Sequence, residues 1–235
     1  MTSRSQVLSN IDLQRLENFI LSYPSQVYNE EYTIATSFTT HNFWKDMWKI
    51  WLAAILSNWS QPPRILLLYS GERPNLVLPS FCTMLPSIWT LSVPHKGVAT
   101  FNFCQKIQAL LMSKSEFNIW CDCDNLVLAP LSHIFNSSSF VQKTRRVAGG
   151  LYCISKKDKE QFYSILLEKI SSRAVSLPLN SDQKLLYYSA KQLNNALFIR
   201  KEHLDKEYWV SLSSRNVKSK IIVDKYLTSI SRIVK

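Results

Sequence analysis

The sequence predicts an α/β domain built on a doubly wound, mostly parallel sheet. Strand-like and helix-like segments alternate through the first half of the chain, which is typical of parallel strands joined by right-handed crossovers. Residues 64–71 (RILLLYSG) form a continuous apolar run, which indicates a strand covered by helices on both faces. The 235 residues are 46% hydrophobic and 19% charged, enough for one sizeable core and too apolar for a disordered chain.

Five helices are predicted before the C-terminal segment, from apolar spacing and from capping or helix-ending residues. Asn10 is in an N-cap position for the helix predicted at 10–22, and Pro62 and Pro63 end the helix predicted at 43–59. The capping residues Ser181 and Asp182 begin the helix predicted at 181–192. The predicted helices cover residues 10–22, 43–59, 100–114, 156–171 and 181–192. The helix at 43–59 has large apolar residues along one stripe of its surface: Trp44, Trp48, Trp51, Leu52 and Ile55. Such a stripe is either part of the core or a surface on which a ligand stacks.

The strands are predicted from short segments rich in β-branched, aromatic or continuous apolar residues. A glycine pair, Gly149 and Gly150, lies near the start of the last one. Residues 117–128 (FNIWCDCDNLVL) predict a strand, a polar interruption and a short second strand. The predicted strand segments are 31–38, 64–71, 87–93, 117–128 and 147–155.

The basic balance of the chain indicates a polyanionic partner. Lys and Arg number 28 against 17 Asp and Glu, a net charge of +11 that favours nucleic acid, nucleotide phosphates or an anionic membrane face. The basic residues are spread along the chain and form no basic-aromatic recognition motif, so nucleic acid is not the expected partner.

The cysteines and the N-terminal residues predict a cytoplasmic protein. The N-terminal segment lacks the apolar region of a signal peptide, and no stretch of about 18 apolar residues predicts a membrane span. Without a CxxC pair, and with several members in apolar runs, the five cysteines are expected to be reduced and mostly buried: Cys82, Cys104, Cys121, Cys123 and Cys153.

Asp122-Cys123-Asp124 is the sharpest local signal for chemistry. Two acids at the end of a buried strand are costly unless something compensates their charge. Because side chains alternate along a strand, carboxylates at i and i+2 point the same way and form an all-oxygen half-site suited to Mg²⁺ or Mn²⁺. The alternative is a polar turn that follows an apolar strand.

The segment around these acids resembles the DxD segment of GT-A-fold glycosyltransferases. The strand 118–121 precedes the acids, the apolar run 126–128 follows them, and Pro130-Leu131 opens the next element. Residues 148–152 resemble the glycine-bearing strand that faces the acceptor sugar. Ser181-Asp182-Gln183 is similar to the Asp-Gln pair of the glycogenin and bacterial galactosyltransferase group, so the resemblance covers about residues 32–190.

The resemblance implies a single GT-A-like (Rossmann-like) domain over 1–216, with a mixed, mostly parallel sheet flanked by helices. Its nucleotide-binding half would cover about 30–128 and its acceptor half about 129–216. The implied activity is metal-dependent transfer of a sugar from a nucleotide-sugar donor, expected to be UDP-linked. The acceptor would be a saccharide, a lipid-linked glycan or a protein, and retention or inversion stays open.

The resemblance also implies roles for individual residues. Asp122 and Asp124 would hold Mn²⁺ or Mg²⁺ against the donor diphosphate, with Asp122 also near the ribose. His203 loosely echoes the third metal ligand of the group, although the segment lacks its Gly and Pro. Nucleotide contacts would come from Ala35, Thr36, Ser37 and Lys106, and acceptor or catalytic contacts from Gly149, Gly150, Asp182 and Gln183.

Each of these assignments has a structural alternative. Ala35, Thr36 and Ser37 could be ordinary strand residues, and Lys106 a solvated lysine on a helix. The glycine pair could form a bulge or turn, Asp182 could serve only as a helix-start carboxylate, and His203 could be a packing residue.

Two other function classes stay open. A nucleotidyltransferase also uses paired acids and a divalent ion, but Gly71 and Gly97 stand alone and form no phosphate-binding loop. A basic, non-enzymatic nucleic-acid-binding module would account for the charge.

The last segment, 217–235, predicts a basic amphipathic helix. Over 218–235 its apolar residues fall on one face with lysines and arginine beside it, a pattern typical of helices that lie in a membrane interface. Peripheral contact with the inner membrane face is one expectation. A helix docked on the domain core is the other.

Overall fold

A mixed β-sheet forms the centre of the molecule. The computed structural model describes residues 13–24, 28–39, 46–87, 98–131, 138–143, 150–171, 181–200 and 209–211. The strands in these ranges are β1 (Asn29–Thr39), β2 (Pro63–Ser70), β3 (Cys82–Pro86), β4 (Phe117–Cys121), β5 (Asn125–Val127), β6 (Phe140–Lys143), β7 (Leu151–Ser155), β8 (Leu197–Arg200) and β9 (Trp209–Ser211).

Seven of these described strands make the central sheet, in the order β3-β2-β1-β4-β7-β6-β8. Strands β1 to β4 are parallel to one another, and β7 runs antiparallel to both of its neighbours, β4 and β6. Strand β8 is parallel to β6, while β5 and β9 pair antiparallel in a separate sheet. The α/β class and the mixed, mostly parallel sheet are therefore confirmed.

Helices cover both faces of the central sheet. Within the described ranges they are α1 (Leu13–Ser22), α2 (Met47–Asn58), α3 (Val98–Met112), α4 (Lys156–Ser171) and α5 (Ser181–Ala190). Helices α1 and α2 pack on one face, and α3, α4 and α5 on the other. None of the helices searched within these ranges is long and apolar enough to cross a bilayer.

The described part of the predicted tryptophan stripe belongs to the core, and Trp44 lies outside the described ranges. Trp48 and Trp51 are fully buried, and the Phe38 ring of β1 stacks on Trp48 with ring centres 5.1 Å apart. Helix α2 contacts α1, β1 and β5, so it is buried on almost its whole circumference rather than along one stripe. The hypothesis of a ligand-stacking surface does not hold for these two rings, because neither is accessible.

Several strands differ from the predicted segments. Strand β3 lies at Cys82–Pro86, directly before the predicted 87–93, whose residues after Ser87 lie outside the described ranges. Strands β6, β8 and β9 were not predicted, because segments of three or four residues carry too little periodicity. The short second strand predicted within 117–128 is β5, which pairs with β9 instead of joining the central sheet.

The parallel strands bring their carboxyl ends to one edge of the sheet. We call this the carboxyl edge, defined by the last residues of β1 to β4: Thr39, Ser70, Pro86 and Cys121. Because β7 is antiparallel, its first residue, Leu151, pairs with Cys121 at the same edge. Ligands of open α/β sheets bind outside this edge, which makes it the place to look for a site.

Candidate functional site

The paired acids lie at the carboxyl edge, in a turn that follows β4. Asp122 is the first residue after the strand, and Cys123 and Asp124 form the turn before β5. The Asn125 N–H donates to the Asp122 carbonyl at 2.9 Å, which closes the turn, and the Asp122 N–H donates to the Gly150 carbonyl at 2.8 Å. Strand alternation therefore does not relate the two acids, because the chain turns between them.

One oxygen of the Asp122 carboxylate contacts two side chains. The Trp120 indole Nε1–H donates to Asp122 Oδ1 at 2.7 Å, and Lys106 Nζ lies 3.9 Å from the same oxygen. Lys106 Nζ also lies 5.8 Å from the centre of the Trp120 ring. The carboxylate is thus bracketed by an indole donor from its own strand and an ammonium from α3.

Lys106 is buried, with a residue exposure of 3%, so the alternative of a solvated helix lysine is wrong. Two hydrogen bonds join helix α3 to strands β3 and β7. Gln108 Nε2 donates to the Pro86 carbonyl at 2.9 Å, and the Tyr152 hydroxyl donates to the Lys106 carbonyl at 3.3 Å. A buried ammonium is costly unless it is paired. The contact with Asp122 supplies the pairing, and it places a positive charge at the carboxyl edge.

Gly150 lies directly against the acid turn. Its carbonyl accepts hydrogen bonds from the Asp122 N–H and from Asn125 Nδ2, the latter at 3.3 Å. A Cβ at this position would come within 3.1 Å of Asp122 Oδ2 and 3.0 Å of Asn125 Nδ2. A side chain at this position would therefore be tight against the acid turn, by a few tenths of an ångström.

The predicted nucleotide-binding residues on β1 lie near its carboxyl end. Ala35 pairs with Trp120 across the β1–β4 register and lines a small cavity under α3. Thr36 is fully buried, and its hydroxyl has no partner within the described part of the chain. Ser37 is partly exposed. Of these three residues, Ala35 is the one that the sheet register places beside Trp120, the ring next to Lys106 and Asp122.

Other predicted residues are described only in part. Helix α5 begins at Ser181, close to the predicted start, and Gln183 is partly exposed in its first turn. The backbone of Asp182 lies in that helix, but its side chain lies outside the described parts. Gly149, His203 and residues 217–235 also lie outside the described ranges.

The thiol between the two acids stays protonated. Burial raises the pKa of Cys123 well above its usual range, and the nearby charges of Asp124 and Asp122 raise it further. The four cysteines with described side chains are all free, and three of them are buried: Cys121, Cys123 and Cys153. The turn therefore offers carboxylate oxygens, and not a thiolate, to a ligand.

The turn fits a hard divalent cation. Carboxylate oxygens are the ligands that Mg²⁺ and Mn²⁺ prefer, and such ions keep coordination positions for water and phosphate oxygens. Among the described residues no group of three His, Cys, Asp or Glu side chains gathers to hold a metal. The protein ligands that the described residues offer are thus the pair Asp122 and Asp124.

Three residues of this site were not predicted from the sequence: Trp120, Asn125 and Tyr152. Trp120 stands two residues before Asp122, so the strand period places both on one side of β4 and could have indicated their contact. Asn125 follows the acids directly, where an amide commonly closes a turn. Tyr152 is opposite Trp120 in the β4–β7 register, which only the sheet pairing reveals.

Comparison with solved structures shows the same fold. The chain is similar to the apo form of the glycosyltransferase GlyE of Streptococcus pneumoniae TIGR4, with a TM-score of 0.58 and 11% identity over 88% of this chain and 62% of that one. A second GlyE structure from the same organism matches with a TM-score of 0.52 and 10% identity, over 88% of this chain and 63% of the other. The chain thus spans less than two thirds of these structures. No protein-family model and no curated protein matches the sequence.

Proposed function

We propose that the chain is a metal-dependent glycosyltransferase that moves a sugar from a nucleotide-sugar donor, UDP-linked, to a saccharide, a lipid-linked glycan or a protein. The observation that carries the proposal is the Asp122–Asp124 turn at the carboxyl edge, with the buried Lys106 ammonium beside it. The fold shared with the GlyE glycosyltransferase structures supports it.

The donor diphosphate would lie over the carboxyl edge between β1 and the acid turn. Asp122 and Asp124 would hold the divalent ion, and Lys106 would add a positive charge for the phosphates. When bound, Mn²⁺ or Mg²⁺ neutralises the charge that develops on the departing nucleoside diphosphate. Ala35, Thr36 and Ser37 would contact the nucleoside, and Ser37 is the one of them that is partly exposed.

The reacting sugars would lie on the β7 and α5 side of the turn. Gly149 and Gly150 would let a substrate approach the backbone closely, and the Asp122 carboxylate lies close to Gly150. Asp182 would deprotonate the acceptor hydroxyl if the enzyme inverts configuration. If it retains configuration, Asp182 would bind the donor sugar, with Gln183 near the anomeric carbon.

The proposal is tested by thermal unfolding with UDP and Mn²⁺, added separately and together. UDP with Mn²⁺ at about 100 times the Kd should stabilise the protein by about 2.7 kcal/mol, because only the folded chain binds it. An oligonucleotide should give no comparable gain. If the oligonucleotide stabilises the chain and UDP with Mn²⁺ does not, the nucleic-acid-binding module is the better account.

A matched pair of variants ties the result to the acid turn. Asp122→Asn removes one charge and keeps the size of the side chain, and it should abolish most of the stabilisation by UDP with Mn²⁺. Glu116→Gln makes the same change at an exposed acid just before the opposite end of β4 and should leave the stabilisation intact. Equal responses of the two variants would contradict the assignment of the site.

A further inference from the structure

We infer that Trp120 is a positioning residue for Asp122. Its indole N–H and the Lys106 ammonium interact with Oδ1 of the carboxylate, so Oδ2 is the oxygen that would bind the cation. The inference rests on the proposed function. The two oxygens of Asp122 would then have different partners, and Trp120, which is outside the acid pair, would have a role in metal binding.

The Trp120 indole and the Lys106 ammonium both lie next to the same carboxylate oxygen of Asp122, Oδ1. The Trp120 indole N–H donates to Oδ1 at 2.7 Å, and the Lys106 ammonium lies 3.9 Å from it. A hydrogen bond to an ionised acceptor is short and about twice as strong as a neutral one, so it holds the carboxylate in one orientation. The Asp122 side chain is still 37% exposed, so the carboxylate as a whole is not sealed in the core.

The second oxygen faces β7. Oδ2 lies 3.1 Å from the point where a Cβ of residue 150 would stand, and within the described residues it accepts no hydrogen bond. A side chain at residue 150 would therefore press on the carboxylate in the orientation that Trp120 holds. Together these contacts leave Oδ2 as the oxygen that a cation would meet.

The Trp120 ring is itself held rigidly. It is 3% exposed and packs in the core between the sheet and α3, opposite Tyr152, whose hydroxyl donates to the Lys106 carbonyl. The indole N–H groups of three other buried tryptophans, Trp48, Trp51 and Trp59, have no partner within the described residues. The bond from Trp120 to Asp122 is thus a particular feature of this ring and not a general property of tryptophan packing in the chain.

The test compares Trp120→Phe with Trp59→Phe. Both variants replace a nearly buried indole by a phenyl ring, since Trp59 is 4% exposed, but only the first removes a hydrogen bond to a carboxylate. Titration calorimetry and Mn²⁺ EPR would measure the affinity for Mn²⁺ with UDP. Trp120→Phe should weaken Mn²⁺ binding about 10- to 100-fold, the usual effect of losing an outer-shell partner, with UDP binding in the absence of metal unchanged.

The double variant Trp120→Phe/Asp122→Asn separates positioning from packing. If Trp120 acts through Asp122, the tryptophan change should have little further effect once the carboxylate is gone. Additive losses, or equal affinity losses in Trp120→Phe and Trp59→Phe, would show a merely structural role and overturn the inference. A Trp120→Phe protein with wild-type Mn²⁺ affinity would overturn it as well. A wild-type protein that binds no Mn²⁺ with UDP would instead contradict the proposed function, and the inference with it.

Discussion

At the scale of single residues, Gly150 sets how closely β7 approaches the acid turn. A methyl group there would meet Asp122 Oδ2 at 3.1 Å and Asn125 Nδ2 at 3.0 Å, both shorter than ordinary contacts. The carboxylate, which the Trp120 indole holds at Oδ1, would have to move by a few tenths of an ångström. The geometry of the turn therefore depends on the absence of a side chain at this position.

Gly150→Ala is accordingly expected to weaken Mn²⁺ binding in the presence of UDP about 10-fold, within the range for a disturbed outer shell. Calorimetric titration of the folded variant would measure this. UDP binding without metal serves as the internal control and should be nearly unchanged. A variant with wild-type metal affinity would show that the carboxylate does not need its present position.

The residues of the site differ in how far they can be predicted from the sequence. The acid pair and the glycine were predicted because they are short, local patterns. Lys106 was left open between a phosphate contact and a solvated lysine, since only tertiary packing decides its burial. The bond from Trp120 to Asp122 was missed because the turn after Cys121 is held by Gly150, which lies far along the chain, just before β7.

At the scale of elements, helix α5 begins at the predicted capping sequence and packs on α3 and α4. Asp182 lies in its first turn. Asp182→Asn is expected to lower kcat severely with a smaller effect on donor affinity, because its proposed role concerns the sugars and not the nucleotide. Steady-state kinetics would separate the two, with the neighbouring exposed Lys184→Ala as control. An unchanged kcat would reduce Asp182 to a helix-start carboxylate.

Prediction of elements succeeded where periodicity is long and failed where it is short. Helix α4 has the predicted bounds, 156–171, because 16 residues give a clear helical pattern. Strands β6 and β8 escaped prediction because each has four residues. The reversed direction of β7 is likewise a property of the sheet and not of its own sequence.

At the scale of the whole molecule, the net charge of +11 and the segment 217–235 bear on where the protein works. We predict salt-sensitive binding to anionic liposomes, lost on truncation after Asn216, because each basic residue near such a surface contributes about 1 kcal/mol. Co-sedimentation at low and high salt, with zwitterionic liposomes as control, would measure it. Full-length protein that stays in the supernatant at low salt would assign the segment to the core or to an oligomer contact.

The central claim is that the Asp122–Asp124 turn supports metal-dependent sugar transfer. The most direct measurement is the hydrolysis of a panel of nucleotide sugars by wild type, Asp122→Ala, Asp124→Ala and the control Glu116→Ala, each with Mn²⁺ and with EDTA. The account predicts turnover of at least one donor that EDTA abolishes, that either turn variant lowers at least about 100-fold, and that Glu116→Ala retains. Turnover that survives EDTA, or that either turn variant keeps near the wild-type rate, would contradict it.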